Sequence, residues 1–274
     1  MTELHVVAEE GTGMLARRAA AFSVAPRIWH LEGRALQPAR AEPLPPEPDP
    51  PELTAPLRAV LEAARSEGAE VVAEHGVISV EVLGLEVARV EAGPDGPELS
   101  IGVGRHDREA RRTVHGGLPG DARDPVGDLR GVVSQVQARR RGGGPSHPAN
   151  QLAPERWLRA LLVRRPELVG AGSLVAVSPP VARPNLRSRA VAPAVGTDGG
   201  GDRMAVVCST GVDPELVPAA VDVRVGAGPC RLVLVVPERD DHPVTRRLVG
   251  MLSDPAEIRT VPTDWRELHS PSPS

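Results

Sequence analysis

The sequence Leu232-Val233-Leu234-Val235-Val236 is an unbroken apolar run, which is typical of an inner strand in a sheet that is covered on both faces. Two further apolar or β-branched runs, Ala205–Ser209 and Glu257–Val261, lie before and after it. Helix candidates at Pro214–Val221 and Pro243–Leu252 separate these runs, and a proline inside the first limits it to one or two turns. This order predicts parallel strands with right-handed connections.

The segment before these runs extends the same pattern. Leu174–Val177 is another strand candidate, and Thr197–Asp202 is predicted to be a hairpin loop. A helix is predicted from Pro154 to Arg165 by its apolar spacing. A further helix has the clearest signals of the chain, because Asp124-Pro125 supplies an N-cap and a first helical residue and Gly142–Gly144 ends it.

The middle of the chain predicts a helix followed by a meander. Leu53–Arg65 places its apolar residues on one helical face. Short Val-rich runs separated by turn residues then predict antiparallel strands at Val71–Ala73, Ile78–Leu83, Leu85–Val90 and Leu99–Val103. We therefore predict an α/β fold, namely a mixed sheet with an antiparallel meander followed by a Rossmann-like βαβ C-terminal part.

Proline marks the main boundary of the chain. Residues 37–51, QPARAEPLPPEPDPP, predict an extended connector, because proline fixes φ and lacks an amide donor. The predicted regions are an N-terminal strand–helix region at 1–36, the connector at 37–51, a helix–meander–helix region at 52–150, an α/β part at 151–269 and a disordered tail at 270–274.

Composition excludes several kinds of chemistry. All 32 basic side chains are arginine, and the chain has no tyrosine. Without lysine, Walker-type phosphate loops, protein-kinase chemistry and Schiff-base mechanisms are excluded. The arginine-, alanine- and glycine-rich composition is typical of a genome of very high GC content, such as an actinobacterial one.

Charge and cysteine content favour a cytoplasmic protein with no membrane partner. The net charge of −4 is not the footprint of a protein that coats nucleic acid, although a local arginine patch would still bind phosphate. The first residues lack the pattern of a signal peptide. We expect both cysteines to be reduced thiols, and Cys208, in an apolar run, to be buried.

The densest polar cluster is Gly102–Ala110, which follows a predicted strand. In it, Asp107 and Glu109 are candidate catalytic residues, and Arg105 and His106 are candidate ligand-binding residues. Carboxylates and a histidine at a strand end suit metal binding or acid–base chemistry. The alternative is a glycine-rich turn that leads into a helix, with an acid near its positive end.

Glu81 and Glu86 on the meander are the other two catalytic candidates. Paired carboxylates on a buried face are costly unless they hold a cation, so a divalent metal is the cofactor that this hypothesis implies. The alternative is an exposed polar face of the meander.

Pro237–His242 ends one predicted strand and precedes a helix, which is where open α/β sheets place their ligands. Asp240 and Asp241 are therefore candidate ligand-binding residues. The alternative is a loop that caps the following helix.

The order helix, meander, helix over Leu53–Arg65 and Val71–Val103 resembles the core of the restriction-endonuclease-like nuclease superfamily. The later sequence Leu232–Pro237, followed by helix, strand and Asp264–Leu268, is similar to how some of its DNA-repair members end. The resemblance covers about half the chain and rests on element order. It implies a metal-binding Asp and a Glu-x-Lys, but Ile101–Gly104 has neither acid nor lysine, so the implied site is degenerate.

Three hypotheses of function follow. The first is a non-enzymatic α/β binding or scaffold protein that contacts nucleic acid or a protein partner. The second is a metal-dependent nuclease or hydrolase that uses the meander carboxylates. The third is a binder of a small molecule or anion at the C-terminal βαβ edge near Asp240 and Asp241.

Overall fold

The computed structural model describes residues 3–93, 96–104, 124–140, 148–183, 185 and 188–269. Helices and three sheets make up this part of the chain, so the α/β class predicted from the sequence is confirmed. No helix among the described residues is long and apolar enough to cross a membrane. The predicted tail at 270–274 and the candidates Arg105, His106, Asp107 and Glu109 lie outside the described residues.

The N-terminal region is a small mixed sheet with one helix. β1 (His5–Ala8) pairs in parallel with β2 (Arg27–Glu32), and α1 (Thr12–Ala19) connects the two strands. β3 (Ala35–Pro38) pairs antiparallel with β2 at the edge of the sheet. β3 therefore overlaps the first two residues of the predicted connector at 37–51, and an edge strand tolerates a proline.

A four-stranded antiparallel meander follows the connector and lies between two helices in sequence. α2 (Ala55–Ser66) begins after its N-cap Thr54, and α3 (Pro125–Arg139) begins after Asp124, whose carboxylate accepts from the Val126 amide. The strands pair in sequential order and are β4 (Glu70–Glu74), β5 (Val77–Val82), β6 (Leu85–Gly93) and β7 (Gly96–Ile101).

The two faces of the meander differ in chemistry. Val80 and Val90 belong to a buried apolar face that packs with Leu61 of α2 and Val133 of α3. Because successive residues of a strand point to opposite faces, Glu81 lies on the other, polar face. That face meets the C-terminal half of the molecule.

The C-terminal sheet is mixed and has the strand order β12-β11-β10-β9-β8. β10, β11 and β12 are parallel to one another. β9 pairs antiparallel with β10, and β8 pairs antiparallel with β9 at the other edge of the sheet. The strands are β8 (Ala171–Ala176), β9 (Ala192–Asp198), β10 (Arg203–Cys208), β11 (Arg231–Pro237) and β12 (Ala256–Val261).

Helices cover both faces of this sheet. α4 (Pro154–Arg164) packs on the face that includes Val206 and Val233. α5 (Leu216–Ala227) and α6 (Pro243–Gly250) cover the opposite face. Short 3₁₀ helices link these elements at Pro148–Gln151, Pro166–Val169, Glu238–Asp240 and Trp265–His269.

The prediction that Pro218 restricts its helix to one or two turns is wrong. α5 has 12 residues, and Pro218 is the third of them. The first amides of a helix have no intrahelical partner, so a proline in the first turn removes no hydrogen bond.

An ion-pair cluster attaches the N-terminal region to the C-terminal half. The carboxylate of Asp222 on α5 accepts from Arg17 Nε at 2.8 Å and from Arg18 Nε at 2.7 Å. Both arginines belong to α1, and Asp222 is almost fully buried. An isolated β-bridge between Phe22 and Leu252 adds a second point of attachment.

Candidate functional site

Glu81 and Glu86, the catalytic candidates on the meander, are brought together as a cross-strand pair of β5 and β6. Glu81 is fully buried. Its Oε1 accepts from Arg156 Nη1 at 2.6 Å, and its Oε2 accepts from Arg159 Nη2 at 3.3 Å. Glu86 accepts from Ser79 Oγ and from Arg89 Nη2, each at 3.1 Å. Guanidinium groups of α4 and β6 therefore occupy the positions that the metal hypothesis assigns to a divalent cation.

Glu74 completes the buried cluster around Glu81. Arg159 Nη1 donates to Glu74 Oε1 at 2.5 Å, and Arg156 bonds the other oxygen of Glu74. Although burial opposes it, the carboxylates of Glu74 and Glu81 raise the pKa of Arg159, so this guanidinium stays charged. Two arginines against two glutamates give a neutral cluster that joins α4 to the meander.

Metal binding finds no geometric support in the described residues. Within them, no group of three His, Cys, Asp or Glu side chains is arranged to hold a metal ion. The remaining catalytic candidates, Asp107 and Glu109, and the ligand candidates Arg105 and His106 lie outside this part of the chain. Their role stays a prediction.

Asp240 and Asp241, the other ligand candidates, lie at the carboxyl ends of the parallel strands, as the sequence indicates. We call this region the carboxyl edge, meaning the loops after β10, β11 and β12 (residues 209–215, 238–242 and 262–266). Asp240 Oδ2 accepts from the Gly211 amide at 2.7 Å, and Asp241 Oδ2 accepts from Arg246 Nε at 3.1 Å. Asp241 Oδ1 and Ser209 Oγ are buried, and neither has a hydrogen-bond partner among the described residues.

A cavity of about 720 Å³ lies on the α5 side of the C-terminal sheet. Its roof is the connector segment Leu44–Pro48, its floor includes Val195 of β9, and one wall is the C-terminal half of α5. The segment Val177–Pro180, which leaves β8, and His75 form the opposite wall. We call this space the connector cavity.

The connector cavity combines an apolar lining with a few polar groups. Prolines, valines, Leu44 and Ala227 make up most of its wall, whereas Glu47, His75, Ser178, Arg203 and Asp222 are polar. Glu47 accepts from the His75 amide at 3.2 Å and from the Ser178 hydroxyl, which fixes the connector to both walls. The ring atom His75 Nε2 is buried and has no hydrogen-bond partner within the part of the chain that the structure describes.

Sequence reasoning missed this cavity. Its roof and walls come from segments far apart in the chain, and no motif links them. The only available signal was the proline-rich connector itself, because a stiff extended segment that cannot enter a sheet has to lie on a surface.

No protein-family model, no curated protein and no solved structure matches the chain. The fold and the two candidate sites define an α/β protein with a neutralised carboxylate cluster and an apolar cavity beneath its connector. Its function has to be inferred from those residues.

Proposed function

We propose that this protein is a non-enzymatic α/β protein that binds a small molecule in the connector cavity. The observation that carries the proposal is a cavity of about 720 Å³ with a mostly apolar lining that includes His75, whose ring nitrogen Nε2 has no hydrogen-bond partner among the described residues. Ligand pockets have volumes of about 300–1,000 Å³ and combine apolar walls with few polar groups. An unpartnered buried polar atom costs stability, so His75 Nε2 gains most from a ligand that supplies a hydrogen bond.

The lining defines the class of ligand. A mostly apolar molecule matches the prolines and valines, and one polar group on it pairs with His75. Asp222 already accepts from two arginines, and Glu47 accepts from the His75 amide and the Ser178 hydroxyl. Because both carboxylates have partners, neither favours a cationic ligand.

The metal-dependent nuclease hypothesis receives less support from the geometry. Arginine side chains hold the carboxylates of Glu81 and Glu86, and a metal would have to displace them. Nuclease-like ancestry and contact with nucleic acid or a protein partner stay predictions.

A thermal-shift screen with uncharged apolar metabolites tests the proposal, because a ligand that binds only the folded state raises the Tm. Hits are compared in Ala227→Trp, which places an indole in the cavity wall, and in Val244→Trp, which places the same side chain at an exposed position of α6. We expect the shift to persist in the α6 variant and to vanish in Ala227→Trp. A shift of equal size in both variants contradicts binding in the connector cavity.

His75→Asn tests the polar contact. Asparagine tolerates the left-handed backbone of His75, whose φ is 51°, and it removes the imidazole. We expect the apparent affinity of a hit to fall by about tenfold, which is the weight of one lost hydrogen bond of about 1.4 kcal/mol. Unchanged affinity assigns no role to the ring.

A further inference from the structure

We infer that the carboxyl edge of the C-terminal sheet holds a second site, which binds the oxyanion group of a small molecule through Arg266. The site is separate from the connector cavity and rests on different residues. Its ligand chemistry is a phosphate or a carboxylate, the groups that a guanidinium binds with two parallel hydrogen bonds.

Two buried tryptophans fix the position of Arg266. Its guanidinium carbon lies 4.7 Å from the ring centroid of Trp265 and 5.4 Å from that of Trp157. The two indoles are fully buried and meet edge to face at 5.8 Å. Stacking on an aromatic face holds a guanidinium in one orientation and leaves its N–H edge available for a planar acceptor.

No described residue accepts a hydrogen bond from the guanidinium of Arg266. Its Nε is buried without a partner, and no hydrogen bond or ion pair joins its side chain to another described residue. Arg140, which packs 4.5 Å from the centroid of Trp157, differs in this respect. That guanidinium donates to four backbone carbonyls, of Leu83, Ala149, Leu152 and Ala153. One arginine of the tryptophan pair is thus satisfied by the fold, and the other is not.

Two charged side chains act on the guanidinium of Arg266, namely Arg239 and Asp240. Burial lowers its pKa, and so does the positive charge of Arg239; Asp240 opposes them. Asp240 is itself engaged, because Oδ2 accepts from the Gly211 amide at 2.7 Å and Oδ1 lies 3.8 Å from Arg239 Nε. An oxyanion bound by Arg266 therefore has Arg239 as a second cationic neighbour.

The position within the fold is the one that open α/β sheets use for ligands. Arg239 follows β11 and Arg266 follows β12, which are parallel neighbours, so both side chains leave the sheet at the same edge. Ser209, which follows β10, adds a buried hydroxyl at that edge, and no described residue bonds to it.

Thermal shift with two anions tests the inference. Sodium phosphate and sodium citrate are titrated at constant ionic strength, with chloride as the balancing salt. We expect at least one of them to raise the Tm by several degrees at saturation, and the effective one identifies the phosphate or the carboxylate class. No shift from either anion overturns the inference.

Matched variants locate the binding. Arg266→Gln removes the fixed guanidinium, and Arg247→Gln makes the same charge change on an exposed residue of α6. We expect at least a tenfold loss of anion affinity in Arg266→Gln and none in Arg247→Gln. Equal losses, or none, mean that the anion binds elsewhere and overturn the inference.

A third variant tests the inference if Arg266→Gln does not fold. Arg239 is half exposed, so Arg239→Gln is expected to fold normally and still to weaken anion binding several-fold. Unchanged affinity in Arg239→Gln then overturns the inference. Ala227→Trp is expected to keep the full anion shift, which separates this site from the connector cavity.

Discussion

Arginine is the only strongly basic side chain of this protein, and the structure places it in the interior as well as on the surface. Arg159 is almost fully buried and bridges Glu74 and Glu81. A lysine, which carries a point charge, cannot reach two carboxylates with a planar fork of donors. The lysine-free composition therefore suits a core cluster in which each guanidinium bridges two carboxylates, whatever its genomic origin.

Glu81→Gln is expected to destabilise the fold by about 3–5 kcal/mol, because removing one partner of a buried ion pair leaves an uncompensated charge. Urea denaturation followed by tryptophan fluorescence measures the change. Glu62→Gln, at an exposed position of α2, is the control, and its free energy of unfolding should stay within about 0.5 kcal/mol of that of the wild type. If Glu81 instead served a metal, Glu81→Gln would leave the metal-free stability intact and abolish a shift caused by Mg²⁺.

The two cysteines should differ in reactivity. Burial raises the pKa of the Cys208 thiol to about 12. Cys230 is only partly buried, and this burial also raises the pKa of its thiol. A thiol reacts as thiolate, so Cys208 has roughly 10⁻⁴ of its reactive form at pH 8. With a disulfide reagent at pH 8, we expect native protein to react only at Cys230, faster as the pH rises, and both thiols to react in denaturant. A thiol that reacts promptly in native Cys230→Ala contradicts this.

At the scale of elements, the sequence predicts best those features that depend on neighbouring residues, such as the start of a helix. The cap Asp124 places the start of α3 correctly, because capping involves only neighbouring residues. β2 and β3 escaped prediction. β3 is exposed throughout and has no inward face, so it lacks the alternation that identifies a strand.

The candidate sites show the same limit. Asp240 was predicted to lie at a ligand-binding edge because strand order alone places it there. The partners of Glu81 were not predicted, because Arg156 and Arg159 reach it only when α4 packs against the meander. The connector cavity likewise depends on packing between distant segments.

Helix α5 offers a matched pair of substitutions. Pro218→Ala in the first turn should change stability by less than about 1 kcal/mol, since no hydrogen bond is lost or gained there. Ala220→Pro, only two residues later, removes the amide that bonds to Leu216 and should cost about 3 kcal/mol or more. Thermal denaturation followed by circular dichroism compares the two. Equal effects would mean that the position of proline within this helix does not matter.

At the scale of the whole molecule, ion pairs join the N-terminal sheet, the meander and the C-terminal sheet. These three units differ in how many buried apolar residues they contain. The meander and the C-terminal sheet share one large apolar cluster, which includes Val80 and Val233. The N-terminal sheet has few buried apolar residues, of which Ala19 and Ile28 are examples. Since so small a core does not stabilise a unit by itself, this region depends on its attachment to α5.

Asp222→Asn tests that dependence. The substitution keeps the side-chain volume but leaves Arg17 and Arg18 without their shared carboxylate, so we expect a loss of about 3 kcal/mol. The loss should be local first. Hydrogen exchange of β1–β3 amides is expected to accelerate by at least about tenfold, while amides of β5 and β11 keep most of their protection.

Asp254→Asn is the matched control, because that carboxylate is 86% exposed and contacts Arg224 only at 3.7 Å. It should leave exchange unchanged. Uniform acceleration across all three sheets in Asp222→Asn would mean that the N-terminal region unfolds only with the rest of the molecule. Unchanged exchange in β1–β3 would mean that the Phe22–Leu252 bridge and its surroundings hold the region without the ion pairs. Only the local response supports an N-terminal sheet that is attached to the rest of the protein mainly through charge.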